Sequence, residues 1–198
     1  MQHHSFSCGS VAVAPAWTRD EVIQTTGELL EAFADRLPEE EEARIGLKPN
    51  LNNDLVALTG NSVDLRVLAA LLEALHDRGY RNLVVADGSN VGGERRGIDT
   101  FKRLRVDRLV ARYGAALVDL NHDSGEPTVL CAGALPHIAR TVLDNDFLIS
   151  IPKIKTHAEV GLSCAMKNWV GIARGQDKRH MHFDLGRNIF ALNEVIMP

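Results

Sequence analysis

Lys153, Lys155 and His157 alternate with Ile154 and Thr156 in the segment PKIKTH, directly after the apolar run FLISI. Successive side chains of an extended chain point to opposite faces, so all three basic groups would project from one side of a strand continued that far. A row of ammonium heads suits a carboxylate or phosphate, held by charge-assisted hydrogen bonds. The imidazole adds a group that titrates near neutral pH and can serve as general acid or base. Lys167-Asn168 follows in SCAMKNW. A lysine beside Cys164, Ala165 and Trp169 sits in packed surroundings, where an ammonium needs a partner or a task. Stabilising developing negative charge, or attaching a cofactor, would be such a task. A purely structural lysine is the competing reading.

His180 and His182 in RHMHF share a face if extended, and a loop could carry them towards His157. Three histidines would form a metal-binding or proton-transfer set, whereas two histidines in a polar loop can also be simply solvated. Neither G-x-S-x-G nor H-E-x-x-H occurs, so hydrolase chemistry has no support. The loop GSNVGGERRG matches no nucleotide fingerprint and reads equally as a flexible loop or a phosphate cradle.

These residues must be positioned by the elements before them, and those alternate between strand and helix. SVAVAPA (10–16), ARIGLKP (43–49), NLVVAD (82–87), ALVDL (116–120) and DFLISIP (146–152) read as strands. Helices are predicted over 21–37, 62–78, about 101–113 and 185–197 from their apolar spacing. Short strands at 128–131 and 138–143 and a short helix at 162–170 are weaker expectations. Repeated βα units imply an open three-layer α/β fold, a mainly parallel sheet with helices on both faces. DFLISI, continuously apolar, is expected to be a central strand. One α/β domain over 1–198 is expected, C-terminally incomplete because the chain stops at Pro198 after a helix that would lead into another strand.

In such sheets ligands bind beyond the carboxyl ends of the strands. Lys48 and Asn50 follow the second strand, Asp87 to Asn90 the third, and Lys153, Lys155 and His157 the DFLISI strand. Polar groups from separate segments therefore gather at one edge. Taken singly, a strand-end lysine can be a guard against edge pairing, and Asn50 a turn residue.

The formal net charge of −4 gives no basic excess for a nucleic-acid binder. Cys8, Cys131 and Cys164 are widely separated, include no C-x-x-C pair, and read as buried or incidental thiols. No apolar stretch approaches the ~20 residues that span a bilayer, and MQHHSFSC lacks the pattern of a signal peptide. A cytoplasmic location is the simplest expectation.

LKPNL (47–51), LTGNSVDLRVL (58–68), IPKIKTH (151–157), AMKNWVGI (165–172) and the later His182 resemble the family catalogued as domain of unknown function 362. KTH followed by KN is the most specific element. The resemblance implies a redox association, because many members carry ferredoxin-like iron–sulfur modules. It thus implies an iron–sulfur cluster or a ferredoxin-like redox partner or domain, although the chain has no cluster motif. A more distant likeness to the nickel-pincer lactate racemase family aligns His157, Gly161, Lys167 and His182 with groups for cofactor attachment, proton transfer and metal ligation. It implies a nickel cofactor.

Together these readings favour an enzyme of redox or hydride/proton-transfer type, an oxidoreductase or an isomerase/racemase, acting on a small anionic substrate. His157 and Lys167 would be catalytic, and Lys48, Asn50, Lys153, Lys155 and Asn168 would bind substrate. A metal, if held, would fall to His180 and His182. The alternative is a non-catalytic anion- or cofactor-binding module serving an iron–sulfur redox partner.

Overall fold

The computed structural model describes residues 2–6, 9–130, 134–175 and 178–196, so Cys8, Cys131 and Pro198 lie outside the described residues. Strands β1 (Gln2–Phe6) and β2 (Gly9–Val13) form an antiparallel hairpin ahead of helix α1 (Arg19–Glu31). Thr18 and Glu21 start α1 with a reciprocal capping box that satisfies otherwise orphaned N–H groups. There follow β3 (Ile45–Pro49), α2 (Leu65–Asp77), β4 (Leu83–Asp87), α3 (Val91–Arg95), α4 (Thr100–Leu104), α5 (Val106–Arg112) and β5 (Ala116–Asp119). After β6 (Gly125–Pro127), β7 (His137–Ala139) and α6 (Arg140–Leu143) comes β8 (Phe147–Ile151). The chain continues through β9 (Lys155–His157), β10 (Gly161–Ser163), α7 (Ala165–Asn168) and α8 (Leu185–Ile196).

Four parallel strands make the main sheet in the order β5-β4-β3-β8. The chain steps outward from β3 to β5, then returns so that β8 pairs on the other side of β3. The direction of winding therefore reverses between β3 and β8, and a crevice opens beyond the carboxyl ends of strands at such a point.

Every residue of β3 and β4 is buried, as parallel strands covered on both faces require. On one face Ile45, Leu47, Leu83 and Val85 pack against Leu30 of α1, the leucines 68, 71, 72 and 75 of α2, and Val106 and Val110 of α5. On the other, Val84 and Ala86 belong to a core with Val142, Trp169, Ile172, Met181 and Leu185, Ile189 and Leu192 of α8. Each such large apolar side chain contributes about 1.5–3 kcal/mol when fully buried. The architecture is therefore the expected α/β one, a parallel sheet between two helical layers.

The short strand expected over 138–143 is β7 running into helix α6, and the described residues 128–130 form no strand. Three further expectations need correction. The helix expected over 101–113 is two helices, because Arg105 adopts a left-handed conformation (φ 63°) between α4 and α5. Apolar spacing runs through both pieces and conceals the break. The DFLISI strand is not central: β8 lies at the edge of the sheet, and four of its five residues are only half-buried. PKIKTH does not prolong it. β8 ends at Ile151, before Pro152, which has no N–H to donate to a ladder. Lys155–His157 instead forms β9, antiparallel to β10 in a separate hairpin. Among the described residues no helix is long and apolar enough to cross a membrane.

Candidate functional site

A cleft of about 380 Å³ opens at the carboxyl ends of the central strands, with Lys48, Asn50, Asp87, Lys167, Asn168 and Lys178 among its lining residues. Its floor is an ion pair. Lys48 near the end of β3 and Asp87 at the end of β4 are 3% and 2% exposed, and Lys48 Nζ donates to Asp87 Oδ1 at 2.5 Å. Asp87 Oδ2 accepts the Leu51 N–H at 2.7 Å, so both carboxylate oxygens are engaged. Satisfying the pair this fully is what makes a buried charge tolerable, since desolvating each ion costs several kcal/mol.

Asn168 joins the two strands at the reversal. Its Nδ2 donates to the Lys48 carbonyl and to Ser150 Oγ of β8, both at 3.0 Å. Its Oδ1 accepts from Asn50 Nδ2 at 3.2 Å and lies 3.4 Å from Lys48 Nζ. Lys155, reaching in from β9, donates to Asn50 Oδ1 at 2.9 Å and to the Asn61 carbonyl at 2.5 Å. These contacts dock the hairpin on the loop that follows β3.

Two glycines let backbone approach the charged floor. A Cβ on Gly171 would stand 2.7 Å from Asp87 Oδ1 and 2.8 Å from Lys48 Nζ. One on Gly88 would stand 2.5 Å from the Gly171 carbonyl and 2.9 Å from Lys178 Nζ. Any larger residue at either position would displace the groups it met.

Positive charge in the cleft exceeds what the carboxylate can balance. Burial, and then the charges of Lys155 and Lys48, push the Lys167 ammonium below its ordinary pKa. Burial also lowers Lys155, against the attraction of Asp87. Lys178 is lowered to about 8 by burial, although the attraction of Asp87 and Asp119 outweighs the repulsion of Lys48 and Lys167. The His157 imidazole is lowered by burial and by the nearby Lys167 charge.

Lys48, Asn50, Lys167, Asn168 and His182 all line the cleft, and Lys155 is bonded to one of its walls. His157 lies on β9, half-buried, where its Nδ1 accepts the Glu159 N–H at 3.2 Å. His182 is exposed, with Nδ1 2.5 Å from Glu159 Oε2. Lys153 is not a lining residue; its charge acts on Asp64. Nor does His180 line the cleft, and its Nε2 is buried without a hydrogen-bond partner among the described residues.

Sequence reasoning missed the roles of Lys178, Gly171 and Asn61, and took Asp87 only as one of several strand-end polar residues. Asp87 had a usable signal, because it and Lys48 each end an apolar strand with opposite charge. Lys178 had none: it lies in a polar loop beside residues of similar character.

The donor set was tested against the groups that the resemblances imply. A cluster bound by four thiolates needs more than the three cysteines of this chain. Among the described residues no group of three or more His, Cys, Asp or Glu is placed to hold a metal ion, and His180 and His182 do not share the cleft. The described residues by themselves therefore make no metal or cluster site.

A search of curated proteins gave no match. Among solved structures, a lactate racemase apoprotein from Thermoanaerobacterium thermosaccharolyticum is similar at 9% identity and a TM-score of 0.41, over 97% of this chain and 52% of that one. The chain thus spans about half the length of that protein. The family model described as Domain of unknown function (DUF362) matches residues 45–198, a span that contains every cleft residue named above, and the chain belongs to that family.

Proposed function

We propose that the chain is an enzyme that binds a small anionic substrate in the cleft and transfers protons to and from it. The observation that carries this reading is the uncompensated charge. Lys48, Arg95, Lys167 and Lys178 line the cleft, and Asp87 is the one carboxylate among its described lining residues. Both Asp87 oxygens are already in use. An anion supplied by a ligand would relieve the repulsion among the ammonium groups and raise their lowered pKa values.

In this reading the Lys48–Asp87 pair and Asn168 form a rigid floor, and Lys155 fixes Asn50 at the rim. Lys167 and Arg95 hold the carboxylate or phosphate. Groups that titrate near the working pH exchange protons most efficiently. Lowered Lys167 and Lys178 are the groups brought towards that range, whereas the lowered His157 stays neutral and can accept a proton.

The test begins with thermal unfolding of the protein in a panel of small carboxylates and inorganic phosphate at constant ionic strength. Stabilisation by at least one, lost in Lys167→Ala, is expected. No response to any anion would end the reading. Exchange of the substrate's carbon-bound hydrogen in D2O, followed by NMR, is expected with the best ligand. Binding without exchange or turnover would instead identify a carrier.

A further inference from the structure

Resting on this anion site, we propose that Lys178 is a nucleophile whose neutral amine condenses with the keto carbon of a small 2-oxo carboxylate to form a covalent imine. Its position is unlike that of the other lysines. Lys48 is ion-paired to Asp87, and Lys155 is held by Asn50 and Asn61. Lys178 lines the cleft with a single acceptor among the described residues, the Gly171 carbonyl at 3.3 Å. Its Nζ lies close enough to Gly88 that a Cβ there would be 2.9 Å away, so it occupies room that only a glycine leaves.

The surroundings favour the free amine. Burial brings the ammonium down to about 8, against the net attraction of the nearby Asp87 and Asp119 carboxylates. Desolvation of the amine is one arrangement that activates lysine towards carbonyl carbon. The neighbouring cations also define the ligand. A carboxylate held by Lys167 and Arg95 would present its adjacent keto group within the same cleft.

In the step, the Nζ lone pair attacks the keto carbon and the C=O π electrons move to oxygen, which takes a proton from the Lys167 ammonium. The resulting carbinolamine loses one water, leaving a protonated C=N bond. One C=N replaces one C=O, one water departs, and nothing is oxidised or reduced. The positive nitrogen then acidifies the carbon-bound hydrogen next to it, which links the imine to the proton transfer above.

The experiment is reductive trapping of the whole chain with pyruvate and sodium borohydride, followed by intact mass and peptide mapping. Acetone, which lacks the carboxylate, is the control. The expected result is one adduct per chain, heavier by pyruvate less one water plus two hydrogens, located at Lys178 and absent with acetone. The trapping rate should rise with pH through about 8, and Lys178→Arg should reduce the adduct to background. Mapping on the unaltered chain makes the result independent of whether that variant folds. No adduct, an adduct at Lys167, or labelling spread over surface lysines would overturn the proposal. Thermal stabilisation by pyruvate without trapping would remove the nucleophile and keep the anion site; absence of both would remove both.

Discussion

Two concave regions of the molecule differ in what lines them and in why they exist. The cleft at the carboxyl edge holds about 380 Å³ and is lined by charged and polar groups over a buried ion pair. A groove of about 520 Å³ runs along the flank between α1, α2 and β8, lined by Leu29, Leu30, Phe33, Val67, Leu71 and Phe147 among others. The groove is the larger, yet its apolar walls offer little to orient a ligand. It exists because β8 is an edge strand whose face α1 and α2 only partly cover. The cleft exists because opposite charges end adjacent strands and glycines let the chain close over them. Volume follows from incomplete packing, whereas a chemical site requires groups held at a cost in stability.

Substitutions in the two regions should separate these origins, and the largest effect is expected at Asp87. Asp87→Asn leaves Lys48 buried without its counter-charge, at a cost of about 3–5 kcal/mol in urea unfolding. A change below ~1 kcal/mol would mean that the pair is not the floor of the cleft.

Lys178→Met should act in the opposite direction. The folded pKa lies below the unfolded one, so the unfolded chain binds more protons between the two values, and stability rises with pH across that window. The penalty is therefore complete below about 8 and gone above about 10.5. Replacing the ammonium should stabilise the ligand-free protein by roughly 3 kcal/mol at neutral pH, and the gain should vanish as pH climbs through that interval. A variant no more stable than the parent at neutral pH would contradict the lowered pKa.

In the groove, Leu71→Ala should cost about 2–3 kcal/mol, the low end of the range for a buried leucine that retains some exposure. It should leave the thermal response to anions unchanged. An altered anion response would show that the two regions are coupled. Lys167→Ala, with which no hydrogen bond is lost among the described residues, should leave the ligand-free protein no less stable at neutral pH. It removes an ammonium held below its ordinary pKa by burial and by Lys155 and Lys48. That same variant should abolish the anion response, and calorimetric titration would detect its survival.

Much of the fold was legible because its signals are local. The leucine stripe of α2 and the buried runs of β3 and β4 carry their period in the sequence. The position of β8 was not, since an apolar run fits a central strand and an edge strand flanked by a groove equally well. The site was legible wherever a functional residue ends a strand, as Lys48 and Asn50 do. Lys155 could be placed at the site, but its partner Asn61 could not, because that contact is made by a hairpin the sequence did not separate from β8. Lys178 depends wholly on tertiary placement against Gly88 and Gly171.

Those two glycines have a consequence for how this molecule can diversify. Part of the cleft wall is main chain, and peptide groups cannot be exchanged for another chemistry by point mutation. A Cβ at either position would collide with the ionised floor or with Lys178. New ligand preferences are therefore expected from the variable side chains of the wall, among them Asn52, Asn90, Val91 and Arg95, while its main-chain part stays fixed. Directed libraries at such positions should retain folded chains, whereas saturation at Gly88 or Gly171 should yield mostly misfolded ones.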